Sequence, residues 1–218
     1  MSIILNAGSS GPKSDPVTAG THSAVCYGIV DLGTQESEQY GPKHKIAILW
    51  EIPDERIEIK GKSLPRGISK RYTASLNEKA NLRKDLSSWR GRQFTSAELA
   101  GWDIAGILGK SCLLNVIHQE TPRGTFAGVA GVMPLPKGMP PNQPENPVTH
   151  FSIRDAVEIA KATGQRDVQW PGNLPQWLLD VCSKSQEYQG LVTGKAPAKN
   201  DPVAPLPPLE GVGEDVPF

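Results

Sequence analysis

Long apolar runs are missing from this chain. None of its 218 residues fall in a stretch of 18 or more apolar residues, which argues against a helical membrane span. Cysteine is scarce. Cys26, Cys112 and Cys182 lie far apart, no C-x-x-C occurs, and the odd number argues against a disulfide framework. Three reduced thiols in a cytoplasmic protein are expected. His22, His44, His118 and His150 lack zinc spacing, so no metal site is expected. The first twenty residues carry no basic start and no long apolar core, and do not read as a secretory signal. Their Gly, Ser and Pro content predicts a flexible arm over 1–19.

Complete catalytic motifs are missing as well. "GILGKS" (106–111) and "KGKS" (60–63) end like a phosphate-binding loop, but the required first glycine is replaced by Ile104 and Arg56. His118 has no nucleophile motif, and the carboxylates are dispersed. The expectation is a protein that is not an enzyme and uses no cofactor.

What is present is a β-rich front half. "HSAVCYGIVDLGT" (22–34) reads as a strand with a bulge at Gly28. "KHKIAILWEI" (43–52) alternates, with Ile46, Ile48, Trp50 and Ile52 on one face and Ala47, Leu49 and Glu51 on the other. "RIEIKGKSLPRGISKRYTASL" (56–76) reads as a short strand, a turn and a third strand near 67–75. The period then changes. Leu82, Leu86 and Trp89 lie at helical spacing between Asn77 as cap and Gly91 as stop. A second helix is predicted over 95–109, with Thr95 or Ser96 as cap and Glu98 in its first turn. Strands over 110–120 and 123–133 follow.

Three strands, helices, then two strands is the order of the OB-fold, a five-stranded Greek-key barrel. The expected fold is mainly β with α additions: such a barrel over 20–135 with a helical insertion between strands 3 and 4. A helix-capped sandwich or another barrel shares the same string. Six prolines between 134 and 147 predict a stiff linker over 136–150. A helical segment over 151–189 follows, in which Leu174, Trp177, Leu178 and Val181 would dock on the barrel or on another subunit. From 190 the chain is Gly, Pro and Ala-rich and is expected to be a disordered acidic tail.

The neutral total of 23 basic and 23 acidic residues hides a polarity. Lys60, Lys62, Arg66, Lys70, Arg71, Lys79, Arg83, Lys84, Arg90 and Arg92 face two acids between 60 and 92, a net of +8. From 201 to 218 four acids stand without a Lys or Arg, a net of −4. The basic section would attract a polyanion; the plain alternative is a solvated surface. Single-strand binding also needs flat rings for unstacked bases. Tyr72, beside Lys70 and Arg71, is the best stacking residue. Trp50 is a second, although it shares a strand face with three isoleucines and reads more readily as core. Trp89 and Trp102, spaced with leucines, read as core.

The words "ISKRYT", "SLNEKANLRKDLSSWRGR", "FTSAELAGWDI" and "ILGKSCLLNV" (within 66–118) resemble bacteriophage and prophage proteins regarded as OB-fold single-stranded-DNA-binding proteins. The ending "GEDVPF" is similar to the tip of bacterial single-stranded-DNA-binding proteins, an acidic run closing on Ile-Pro-Phe that docks replication, recombination and repair enzymes. Glu214 and Asp215 match the acids, Val216 takes the isoleucine place, and Pro217 and Phe218 match directly. The acidic run is shorter here.

Together these features imply a phage-encoded protein of the bacterial cytoplasm that binds single-stranded DNA without strong sequence preference. Arg66, Lys70, Arg71, Lys60 and Lys62 are the main phosphate contacts. Arg83, Lys84, Arg90 and Arg92 rank second, because the helices are placed to cap the barrel away from the groove. The tip would recruit replication or recombination proteins, and a homo-oligomer through "NLPQWLLDV" is open. An OB scaffold for protein interaction or anti-defence without nucleic acid is the other class carried forward.

Overall fold

The computed structural model describes residues 15–37, 41–59, 61–122 and 124–194. Strand β1 (Gly20–Gln35) is followed by β2 (Lys43–Ile59) and β3 (Lys62–Thr73), then helices α1 (Asn81–Arg90) and α2 (Ser96–Ala100) and a 3-10 turn at Ile104–Ile107. Strands β4 (Ser111–Thr121), β5 (Gly124–Met133) and β6 (Thr149–Ser152) come next, with helices α3 (Ile153–Ala162), α4 (Gln176–Cys182) and α5 (Gln186–Thr193) last. The architecture is mainly β: a curled antiparallel sheet in the order β3-β2-β1-β4-β5, with β6 added in parallel beside β1.

β1 organises the sheet. Along one edge it pairs with β2 from Val25 to Gln35. Along the other it pairs first with β4, over Gly20–Val25, and then with β6, over Gly28–Asp31. The register with β2 slips between Cys26 and Gly28, which is the expected bulge. A Cβ at residue 28 would lie 2.6 Å from Leu49 Cδ1, so only glycine lets β2 approach there.

Strands β1 and β2 are buried on both faces. Inside the curl, Ile46, Ile48, Trp50 and Ile52 of β2 meet Ile68 and Tyr72 of β3, Leu82, Leu86 and Trp89 of α1, and Cys112, Leu114 and Val116 of β4. On the outer face, Val30, Leu32, Ala47 and Leu49 are covered by Phe151, Ile153, Val157, Leu174 and Leu178. Residues 151–189 are therefore a layer of the same fold, and Leu174 and Leu178 dock within the chain.

The Pro-rich stretch is not a free linker. Asn142 binds Ser111 through its backbone N–H (2.8 Å) and Ser23 through its side chain (2.8 Å). Glu51, on the face opposite Ile48 and Trp50, is fully buried. Its carboxyl group accepts the backbone N–H groups of Glu145 and Asn146 (2.6 and 2.9 Å) and the Asn146 side-chain amide (2.6 Å). The strap thus supplies the partners that a buried carboxyl group requires. Residues 15–19, assigned to the flexible arm, are also held. Val17 is buried, and its carbonyl is bound by His118 Nε2 at 2.8 Å.

The helical insertion differs in detail. α1 starts at Asn81 after an extended Ala80, so Asn77 is not its cap; Gly91, at φ 66°, closes it as expected. The helix read over 95–109 is α2 plus the 3-10 turn, separated by an extended Gly101. Thr95 caps α2 in a reciprocal box with Glu98. The three cysteines are free and buried, and burial pushes the Cys26 and Cys182 thiols up to about 12 and raises Cys112 also.

Candidate nucleic-acid interface

The two ends of the curled sheet, β3 and β5, approach each other without a hydrogen-bonded ladder. A groove of about 810 Å³ lies along this seam. One wall is the β2–β3 hairpin, with Ile57, Leu64, Arg66 and Gly67; the other is the start of β5, with Thr125 and Phe126; Tyr27 also lines it. The Phe126 ring is 50% exposed. Tyr27 is half-buried, and burial followed by the nearby Glu51 pushes its phenol up to about 12. Its hydroxyl passes close to Gly67, where a Cβ would meet it at 3.2 Å.

Neither expected stacking residue is in this groove. Trp50 is fully buried and packs against Trp89 with ring centroids 6.0 Å apart. Tyr72 is 3% exposed in the same core. Its hydroxyl donates to Asp85 Oδ2 on α1 at 2.8 Å, and burial with the Asp85 charge raises its pKa strongly. A ring enclosed on all sides has no free face for a base, so both assignments are withdrawn. The rings that line the groove, Phe126 and Tyr27, lie outside the basic section of the sequence. The signal for Phe126 was an aromatic in a Gly-rich strand next to a hairpin turn, where a large apolar side chain has little to pack on.

The basic residues do not form one stripe. A strand's side chains alternate between faces, so Lys70 and Arg71 diverge. Lys70 turns inward to Asp85 Oδ2 (2.7 Å), with its Nζ 5.4 Å from the Tyr72 ring centre. Arg71 is exposed and paired in register with Ala47 of the outer face. Arg66 lines the groove. It donates to the carbonyls of Asp15 and Arg56 and lies 3.9 Å from Glu55. Lys62 is exposed at the hairpin; Lys60 lies outside the described residues.

Arg90 is structural. Its guanidinium lies over Phe94 and Trp102, 4.3 and 5.4 Å from the ring centres, and pairs with Glu98. Arg92 forks onto the same carboxylate at 2.8 and 3.0 Å. The hydrogen bond from Arg92, with the Thr95 N–H and Arg90, holds the Glu98 carboxyl down at about 2. Arg83 binds the Leu76 carbonyl at 3.2 Å, and Lys84 is exposed. The tip residues Glu214, Asp215, Val216, Pro217 and Phe218 lie outside the described residues. No cluster of His, Cys, Asp and Glu suited to a metal ion occurs among the described residues, and no described helix is long and apolar enough to cross a membrane.

In comparisons of sequence, no protein-family model and no curated protein matches the chain.

Proposed function

We propose that this chain is an OB-fold protein that binds single-stranded DNA along the β3/β5 groove, in the setting of phage replication or recombination. The strand order β3-β2-β1-β4-β5, with a helix between β3 and β4 at the seam, supports a five-stranded Greek-key barrel. The observation that carries the binding reading is the groove itself, with Arg66 on one wall and the exposed Phe126 ring on the other. A cation for phosphate and a ring for a base are the two elements that sequence-tolerant single-strand binding needs. In this reading Tyr27 stacks beside Phe126, and Lys60 and Lys62 extend the phosphate path over the hairpin.

The test is fluorescence anisotropy of labelled oligo-dT over a range of salt. Affinity falls as salt rises, with log K dropping about 0.7 per log unit of salt for each phosphate contact. Binding that ignores salt, or no binding, rejects the proposal. The acidic tip serves as a docking ligand: a terminal aromatic fills an apolar pocket while its carboxylate and the neighbouring acids meet a basic rim. A chain without its last nine residues keeps or gains DNA affinity and loses partner capture. Unchanged capture rejects the docking role.

One observation favours a protein ligand instead. Arg66 is paired with Glu55, and Asp15 also lines the groove, so among the described residues the groove is close to electrically balanced. The oligo-dT titration separates the two readings.

A further inference from the structure

Among the described residues, cations outnumber acids in the depression on α1 and not in the groove. Lys84, Ser88 and Gly91, with Arg83, Ser87 and Arg92, line a depression of about 620 Å³ on the exposed side of the helix. Its middle is low because Ser87, Ser88 and Gly91 are small, and its ends carry the long basic side chains. Two acids bear on it. Glu78 sits on the rim. Glu98 is shared by Arg90 and Arg92, so one carboxylate offsets two guanidiniums and leaves a positive surplus.

A second, independent feature points to a ligand. Ser87 lines the depression, is only 6% exposed, and its Oγ has no hydrogen-bond partner among the described residues. A buried hydroxyl left unpaired is costly and uncommon. By contrast, the adjacent Ser88 hydroxyl is satisfied by the Val132 carbonyl at 2.7 Å. Arg83, Lys84 and Arg92 bring charge from several sides, the chemistry that holds a phosphate, and the Ser87 hydroxyl, enclosed in this structure, would meet one phosphate oxygen by turning about χ1.

The place of the depression fits a strand leaving the groove. The groove opens beside Thr125–Ala127 at the start of β5, and α1 packs across the far end of the same strand at Val132. Five residues of strand separate Ala127 from Val132, about 17 Å. A bound strand that follows the seam therefore runs from the groove onto α1.

We infer that the Arg83–Lys84–Ser87–Arg92 depression is a second phosphate-binding subsite, which takes the backbone of single-stranded DNA after it leaves the groove. This rests on the groove binding proposed above. It moves cations placed in the second rank by the sequence into a defined role, with Ser87 as a contact that charge alone does not reveal.

The experiment compares oligo-dT of about 4 and about 16 nucleotides, the range of site sizes for one OB domain, on the full chain. Lys84→Ala with Arg92→Ala is expected to leave the short ligand unaffected. For the long ligand it lowers affinity at least tenfold at low salt and reduces the salt slope by about 1.4, two contacts at about 0.7 each. Ser87→Ala lowers long-ligand affinity several-fold with the slope unchanged, while raising the melting temperature, because an unpaired buried hydroxyl is removed. That opposition of affinity and stability is not expected of a merely structural serine.

Wild-type slope and affinity for the long ligand in the double variant overturn the subsite. So does an equal loss for both ligand lengths, which marks a general charge effect. If Phe126→Ala weakens the short ligand while the α1 variants change nothing, the groove stands and the subsite falls. If the wild-type chain binds neither length, both fall together.

Discussion

Tyr72 and Lys70 reach the same oxygen of one carboxylate: the phenol of β3 donates to Asp85 Oδ2 at 2.8 Å and the ammonium two residues earlier lies at 2.7 Å. A single acid on α1 thus fastens the helix to the third strand through two groups that the sequence offers as DNA contacts. Tyr72→Ala is expected to cost about 3–5 kcal/mol, the range for removing a large aromatic from a core. Tyr72→Phe costs about 1 kcal/mol, one hydrogen bond. Chemical denaturation measures both. A Tyr72→Phe chain with normal stability and about tenfold weaker DNA binding would return Tyr72 to the interface.

Phe126 makes the opposite prediction. Half of its surface faces solvent, so Phe126→Ala leaves the denaturation midpoint near that of the wild type. Loss of one stacking platform weakens single-strand binding by about 1–3 kcal/mol. The anisotropy titration reads this directly, and an unchanged affinity removes the ring from the binding path.

Glu51 tests the strap. Replacing it with alanine strands the backbone N–H groups of Glu145 and Asn146, which have it as their partner. Each donor left unpaired costs about 1–3 kcal/mol, so Glu51→Ala, which leaves two, should lose roughly 2–6 kcal/mol in equilibrium unfolding. Hydrogen exchange at residues 145 and 146 should accelerate in the same variant. Unchanged exchange there would show that the strap is held by other contacts.

Glu98 sets an acid limit for the helical insertion. Its carboxyl is held at about 2 in the fold, against an ordinary value of 4.5, first by Arg92 and then by the Thr95 N–H and Arg90. A group depressed on folding contributes its stability above the ordinary value and loses it as pH falls towards the folded one. The α2 cap should therefore weaken between about pH 4.5 and 2. In Glu98→Gln that component of the pH dependence is absent, which thermal melts across the window will detect.

Much of the inner core was legible. The alternation of Ile46, Ile48, Trp50 and Ile52, the helical spacing of Leu82, Leu86 and Trp89, and the cap at Thr95 or Ser96 with Glu98 in the first turn each carry a period or a hydrogen-bond rule strong enough to act alone. The outer layer was not. Ala47 and Leu49 make β2 a nearly unbroken apolar run, the mark of a strand covered on both sides, but the prolines that follow β5 suggested a stiff linker leading away from the sheet. Those prolines forbid helix, and they do not forbid a strap whose N–H groups are spent on Glu51.

The basic section misled for a different reason. Ten cations in 33 residues look like one surface when counted along the chain. Strand alternation and a turn into a helix send them in at least three directions: Lys70 to Asp85, Arg71 outward, and Arg83, Lys84 and Arg92 to the far side of α1. Arg90 is lost to the aromatic pair Phe94 and Trp102. Only the partner of each cation, which depends on contacts distant in sequence, separates those that pack from those left to meet a ligand.

β1 changes neighbour midway, from β4 to β6, at the bulge that Gly28 permits. A chain ending after β5 would leave Gly28–Asp31 as a bare strand edge beside the uncovered Val30, Leu32, Ala47 and Leu49. An open edge next to an apolar face is a template for pairing with a second molecule. The smallest piece of this protein that keeps this edge and this face covered therefore extends through α4, and trimming it to the first five strands would yield a self-associating fragment.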